Sequence, residues 1–368
     1  MVLNSNKPNF LPKELFTKIT LFNLSAYCTG HFIVDAICAG IIFSLFAANQ
    51  SVTDLAFFIV LYNVLAFGLQ LPLGYLSDKL MHPKYFAIMG LLLTAIGGIV
   101  ALFSPLTGIV LAGFGNALFH IGGGSISLNL TPNKASAPGI YVAPGAIGLL
   151  VGTLLGKAGL FNPLIFSIIA FVLILIILSI KQPKINYDTK RIKKVNYLEL
   201  IVLLLLLAIV SRSIIGLAIS FPWKTDLLLL VVLTLGVFFG KAFGGILGDK
   251  FGWIKTGVGG LLLSAPLILF GIQNPLLGII GIFLFNFTMP ITLTASSNVF
   301  PGRPGFSFGL TCMALLIGVM PFFLEAKNIF ANELLVFAII IASAIAIFIA
   351  LILSANPKRK LNLLNPKN

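Results

Sequence analysis

Apolar residues run along this chain in long blocks, separated by short breaks of Pro, Gly, Asn and charge. A helix needs about 20 apolar residues to cross a bilayer. The blocks predict twelve spans of that kind. Spans 1 to 6 cover roughly 17–47, 54–77, 85–103, 106–130, 137–158 and 162–180. Spans 7 to 12 cover roughly 198–221, 226–248, 256–272, 275–298, 305–323 and 331–354. Between the sets lies a polar stretch, "KQPKINYDTKRIKKVN". The pattern divides the chain into an amino-terminal bundle, 1–180, a linker, 181–197, and a carboxy-terminal bundle with a basic tail, 198–368.

Composition excludes a soluble reading. Hydrophobic residues are 58% of the chain and charged residues 9%, so no polar face exists to cover such a core. The fold class expected is an all-α membrane protein of twelve transmembrane helices in two pseudo-symmetric six-helix bundles. The net charge of +14 would point to nucleic acid in a soluble protein. Here the basic residues mark topology instead, and nucleic acid is not an expected partner. One side receives Lys7, Lys13, Lys18, Lys79, Lys84, Lys134, the linker cluster, Lys250, Lys255, Arg303 and the tail. The other receives Lys157, Lys224 and Lys327. The positive-inside rule then places both termini in the cytoplasm, in a multi-pass protein of the cell membrane. The amino terminus has no cleavable signal pattern. Cys28, Cys38 and Cys312 all lie in apolar runs and form neither a disulfide framework nor metal-ligand spacing.

The two halves repeat a motif. Span 2 ends in "GYLSDKLMHPK" and span 8 in "GILGDKFGWIK". Each reads Gly-x-x-x-Asp-Lys, with Gly74, Asp78 and Lys79 in one copy and Gly245, Asp249 and Lys250 in the other. Small residues let helices approach, and a carboxylate makes charge-assisted bonds to a helix end. These six residues are candidates for a conformational gate. Parallel six-helix halves are a transporter architecture.

These loops resemble the signature of the major facilitator superfamily. The second copy keeps Gly252, whereas Met81 stands at that place in the first. Within the superfamily the chain is similar to the fosmidomycin resistance transporters. The resemblance rests on His31 and Asp35, on "LQLPLGYLSDK", on "GNALFH" and on "FPGRPGFSFGL". It departs after His120, where Ile121 and Gly122 replace the family's proline and glutamate. The resemblance implies the major facilitator fold, alternating access, and spans 1, 4, 7 and 10 around a central cavity. It also implies proton-coupled efflux of an anionic drug, an antibiotic resistance activity of the antiporter type.

Ionisable residues inside the spans carry the candidate chemistry. His31 and Asp35 are four apart and share one face of span 1. A charged side chain at that depth costs about 2.5 kcal/mol or more without a partner or a wet cavity. His120 and Asn116 lie in span 4, Arg212 in span 7, Lys241 in span 8 and Asn286 in span 10. Arg212 cannot escape burial by deprotonating, and its fork suits carboxylate or phosphate. Two fixed cations against one deep carboxylate favour an anion. Arg212, His120, Asn116, Asn286 and Lys241 are the candidate substrate residues, and Asp35 with His31 the proton-coupling pair. Each also has a structural reading as helix glue, an internal ion pair or a snorkelling cation.

The leading expectation is a secondary active transporter, working as a monomer without a cofactor, that exports a small phosphonate or carboxylate with proton coupling. A divalent metal exporter using His31, Asp35 and His120 is the alternative, although Arg212 and Lys241 would repel its cargo. An enzyme is not expected. No metalloprotease, nucleophile-elbow or phosphate-loop motif is present, and "HIGGGSIS" lies inside a span.

Overall fold

Proline and asparagine set where the helices begin. Pro83, Pro105, Pro163, Pro275 and Pro304 stand in the first turn, where the missing N–H costs nothing. Asn162, Asn274 and Asn332 cap helix starts by accepting from the backbone N–H two residues on. Asp226 caps span 8 through the N–H of Leu229.

A computed structural model of the chain describes residues 13–48, 52–189, 197–324, 330 and 332–355. Lys7, the linker segment 190–196, Lys327 and the tail 356–368 lie outside the described residues. All twelve expected spans are helical. They are Lys18–Ala47, Asp54–Leu80, Pro83–Val100, Pro105–Leu130, Ser136–Lys157, Pro163–Ser179, Leu198–Ala218, Leu227–Phe251, Ile254–Gly271, Pro275–Val299, Pro304–Phe323 and Glu333–Ser354. Eleven are long and apolar enough to cross a membrane; Pro163–Ser179, with 17 residues, is shorter.

Several spans are irregular where the sequence pattern reads as continuous. Span 2 takes a π turn at Val64–Gly68, and span 9 starts with one at Ile254–Val258. Span 5 bends at Ala143, because Pro144 has no N–H to give. Span 10 breaks at Asn286–Phe287.

Two apolar cores form. One gathers residues of spans 1 to 6, including Tyr27, Ile37, Leu91, Phe119 and Ile177. The other gathers residues of spans 7 to 12, including Leu205, Leu261, Ile291 and Ile340. Each also takes residues across the divide. Phe308 and Cys312 of span 11 join the first core, and Ala135, just before span 5, joins the second. The three glycines of "HIGGGSIS" explain part of that packing. Gly122 lies on the span 3 backbone at Pro83 and Ala87, Gly123 on the Tyr141 ring, and Gly124 under the Phe308 ring. The stretch is a three-way packing surface.

The repeated loops both turn through a positive φ at matching places after span 2 and span 8: Met81 has φ 59° and ψ 28°, in the left-handed helical region, and Gly252 has φ 98° and ψ 143°, outside it. A non-glycine residue pays about 1–2 kcal/mol there, and glycine does not. Nothing lies within 4 Å of a Cβ built on Gly252, so a side chain there meets strain without a clash. Met81→Gly should therefore raise the thermal unfolding temperature, and Gly252→Ala should lower it by the equivalent of about 1 kcal/mol. Equal melting of Gly252→Ala and wild type in detergent would show that the turn relaxes freely.

Candidate functional site

Two features occupy the region between the halves: a polar cluster on spans 1 and 4, and a cavity bounded mainly by spans 7, 8, 10 and 11.

The cluster starts from helical spacing. His31 and Asp35 stack on one face of span 1, with Nε2 of His31 3.3 Å from Oδ2 of Asp35. Asn116 and His120 stack the same way on span 4. His120 Nδ1 lies 2.9 Å from the Asn116 carbonyl oxygen, and Asn116 Nδ2 donates to Asp35 Oδ1 at 3.2 Å. The span 5 bend supplies the remaining partner. Pro144 leaves carbonyl oxygens near the bend without their usual helical donor. The Ile140 oxygen accepts from Cys28 Sγ, and the Tyr141 oxygen lies 2.8 Å from His31 Nδ1.

These contacts settle both tautomers. A carbonyl oxygen only accepts, so each Nδ1 carries its hydrogen. Each Nε2 is then a lone pair in the neutral ring. The two Nε2 atoms are 3.0 Å apart, and His120 Nε2 is 3.7 Å from Asp35 Oδ1. Two lone pairs and a carboxylate this close repel unless a cation sits among them. Asp35's ion-pair partners among the described residues are therefore the two histidines, not Arg212 or Lys241. A Cβ on Gly145 would press on His31 Nε2 and Asp35 Oδ2, so that glycine keeps the space beside them open.

The cavity has a volume of about 460 Å³. Arg212, Lys241 and Asn286 line it, together with Asn63, Ser213 and Lys224. No acidic residue is in its lining among the described residues. Arg212 Nη1 is buried and has no hydrogen-bond partner among the described residues. Lys241 Nζ donates a long bond of 3.5 Å to the Val142 carbonyl, and Asn286 Nδ2 bonds its own helix at Ile282. Lys224 sits at the mouth, in the connection between spans 7 and 8, and partial burial lowers its ammonium pKa. Charge counting along the spans does not find Lys224, because it lies in the connection Pro222–Thr225 and not in a span, yet it lines the cavity. His120 and Asn116 are not in the cavity lining; they belong to the polar cluster.

The repeated aspartates lie at the opposite end from Lys224. Asp78 of span 2 accepts from the backbone N–H groups of Gly305 and Phe306 at the start of span 11, both at 2.8 Å. Asp249 of span 8 accepts from Ala135 and Ser136 at the start of span 5, also at 2.8 Å. Trp253 Nε1 adds a bond of 3.2 Å to Asp249. Each carboxylate caps a helix of the other half, where the helix dipole favours an anion. Gly74 rests against the Gly305 carbonyl and Gly245 against the Ala135 carbonyl, too close for a Cβ. Lys79 and Lys250 are exposed beside these caps. The structure is thus tied shut at the basic face, and Phe308 is wedged between the halves.

The protein-family model described as Major Facilitator Superfamily matches residues 26–321. The chain belongs to the Major Facilitator Superfamily. Its fold is that of solved members of the superfamily. A variant of the E. coli fucose:proton symporter FucP superposes with a TM-score of 0.70 at 15% identity, covering 90% of this chain and 98% of that one. FucP in an outward conformation gives 0.66 at 16% identity, covering 90% and 99%. The human organic anion transporter MFSD10 (TETRAN) gives 0.65 at 14% identity, covering 94% and 100%. No curated protein matches the sequence. Superfamily membership makes this chain a multi-pass membrane transporter of small molecules, not an enzyme.

The gate geometry carries a prediction. A carboxylate accepting two backbone N–H groups contributes about 1.5–3 kcal/mol per bond, and an amide keeps only part of that. Asp78→Asn and Asp249→Asn should each loosen the basic face. Cys312 is buried in span 11 against the amino-terminal core, so its alkylation should rise several-fold in both variants, read by mass spectrometry. Unchanged Cys312 labelling would remove these aspartates from the gate.

Proposed function

We propose that this transporter carries a small organic anion of the phosphonate or carboxylate type by secondary active transport. The observation that supports it best is Arg212 in the lining of a cavity that has three cations and, among the described residues, no acid, with Nη1 of the same side chain buried and without a hydrogen-bond partner among them. An arginine left unpaired at that depth is costly, and a bidentate anion is its natural complement. Lys241 and Lys224 add charge at the cavity's depth and mouth, and Asn286 offers an amide. TETRAN, similar in fold, is an organic anion transporter by description, which fits the same substrate class.

Coupling belongs to the cluster in this reading. One proton among Asp35, His31 and His120 relieves the repulsion of their three acceptors. Its movement during alternating access is the coupling step, with Asp35 and His31 as the primary pair. FucP, described as a proton symporter, shares the fold. The bodies 1–180 and 198–368 rock about the linker 181–197, and the Asp78 and Asp249 caps hold the inward side closed. The positive-inside rule puts that side and both termini in the cytoplasm of a cell membrane. The cavity then faces outward, as in a transporter waiting to release or capture its anion. Export, in the manner of the fosmidomycin resistance transporters, is the direction proposed, with the monomer as the working unit.

Proteoliposomes with an imposed pH gradient test this, screened over anionic and cationic compounds. Anionic phosphonates or carboxylates should move and cations should not. Arg212→Lys should lose about tenfold or more in anion affinity, because a point charge replaces a fork, and Arg212→Ala should lose more. Wild-type anion flux in Arg212→Ala would take this residue out of the site. Asp35→Asn keeps the size and removes the carboxylate. It should abolish pH-driven flux while anion binding survives. Normal pH-driven flux in that variant would move the coupling step to His120.

A further inference from the structure

The convergent acceptors on spans 1 and 4 suit a second kind of cation. We propose that His31, Asp35 and His120 form a binding site for one divalent transition-metal ion of the zinc class. The site goes beyond the anion reading: it uses the three residues of the coupling cluster and none of the cavity residues that carry the anion.

Donor chemistry is the first support. Two neutral imidazole nitrogens and a carboxylate oxygen are borderline ligands suited to zinc, cobalt or nickel, whereas magnesium and calcium prefer all-oxygen sets. Geometry is the second. Ligand atoms about 2.0–2.1 Å from a tetrahedral ion lie about 3.3 Å from one another. The two Nε2 atoms here are 3.0 Å apart, and Asp35 turns a different oxygen to each ring, Oδ2 at 3.3 Å from His31 and Oδ1 at 3.7 Å from His120. One ligand atom from each of the three residues falls within 4.8 Å of the others. All three side chains come from uninterrupted α-helices, so the spacing is held by span 1 against span 4.

The surrounding contacts are the third support. A metal-bound histidine gives its other ring N–H to a carbonyl or carboxylate, which sets the tautomer and aims the ring. Both histidines meet that condition, through the carbonyls of Tyr141 and Asn116. Asn116 Nδ2 steadies Asp35 in the same way. Gly145 leaves space beside His31 Nε2 and Asp35 Oδ2, where any bulkier residue would press on the ligand atoms. Asp35 keeps a fifth of its side-chain surface exposed, so an ion has an approach and a free position for water or an anion.

Lys241 opposes the ion. It acts electrostatically on Asp35 and is held to Val142, one residue from the Tyr141 carbonyl. Removing that charge should tighten metal binding, which gives the proposal a signature that a plain histidine cluster lacks.

The test uses the purified full chain, without an added histidine tag, in detergent. Cobalt(II) chloride is titrated first, then zinc chloride in competition. Wild type should bind one equivalent of cobalt with visible absorption bands of low-coordinate N/O ligation, and one equivalent of zinc should displace it. X-ray absorption of the zinc form should show two imidazole ligands. His120→Ala and Asp35→Asn should each weaken zinc by about 100-fold, and Lys241→Gln should tighten it several-fold. His82 is the third histidine and is exposed between spans 2 and 3, so His82→Ala should change nothing. Absence of cobalt bands in wild type, absence of imidazole in the zinc spectrum, or loss of binding in His82→Ala overturns the proposal. The wild-type spectra decide this even if a variant fails to fold. Anion affinity at Arg212 is measured separately, so failure of the metal site leaves that reading intact.

Discussion

A bilayer offers no hydrogen-bond partner, and the polar residues inside this chain are arranged around that constraint. Asp35 would be expensive alone at its depth. It is placed between two imidazoles and an amide, and those groups are in turn aimed by two backbone carbonyls. One of those carbonyls, Tyr141, belongs to span 5 beside the Pro144 bend, so one helix supplies the partner for a histidine of another. In the amino-terminal half the outer atoms of the cluster are satisfied by backbone carbonyls and an amide, while its three inner acceptors face one another. Arg212 lines the cavity, and its buried Nη1 has no hydrogen-bond partner among the described residues.

The same constraint governs the closed end. Helix termini expose unpaired N–H groups, and starts of spans 5 and 11 meet that need with carboxylates from spans 8 and 2. The bonds cross between halves in both directions, so the internal repeat becomes a pair of reciprocal clasps. Glycines at 74 and 245 permit the approach, since a side chain at either would strike a neighbouring carbonyl. The contact between the halves at this end therefore depends on small residues and on charge at the same few positions. The cavity and the polar cluster lie beyond this closed end, and the loop carrying Lys224 borders the cavity's mouth.

Much of this was legible in the residues themselves. Block length and Pro or Asn punctuation located twelve helices to within a few residues, because the bilayer sets the length and the first turn tolerates proline. The Gly-x-x-x-Asp-Lys copies announced the repeat, and Met81 marked its imperfect half. The pairing of His31 with Asp35 followed from helical spacing. Other features were not legible. Lys224 sits in a loop by sequence and at the cavity's mouth in space. His120 was grouped with the substrate residues by charge class, yet its ring lies on His31. Gly145 carries no chemical signal at all, and its role appears only when its neighbours are placed.

Local periodicity, composition and the cost of burying charge act along the chain, so the sequence by itself determined the membrane class, the span count, the two-half repeat and the list of costly polar residues. Tertiary structure alone decided which of those residues meet. His31 and His120 stand 89 positions apart, and Asp78 and Gly305 stand 227 apart. Whether such groups touch depends on how closely helices approach, on where glycines remove a side chain and on where a bend frees a carbonyl. Those quantities arise between helices, and no single helix encodes them.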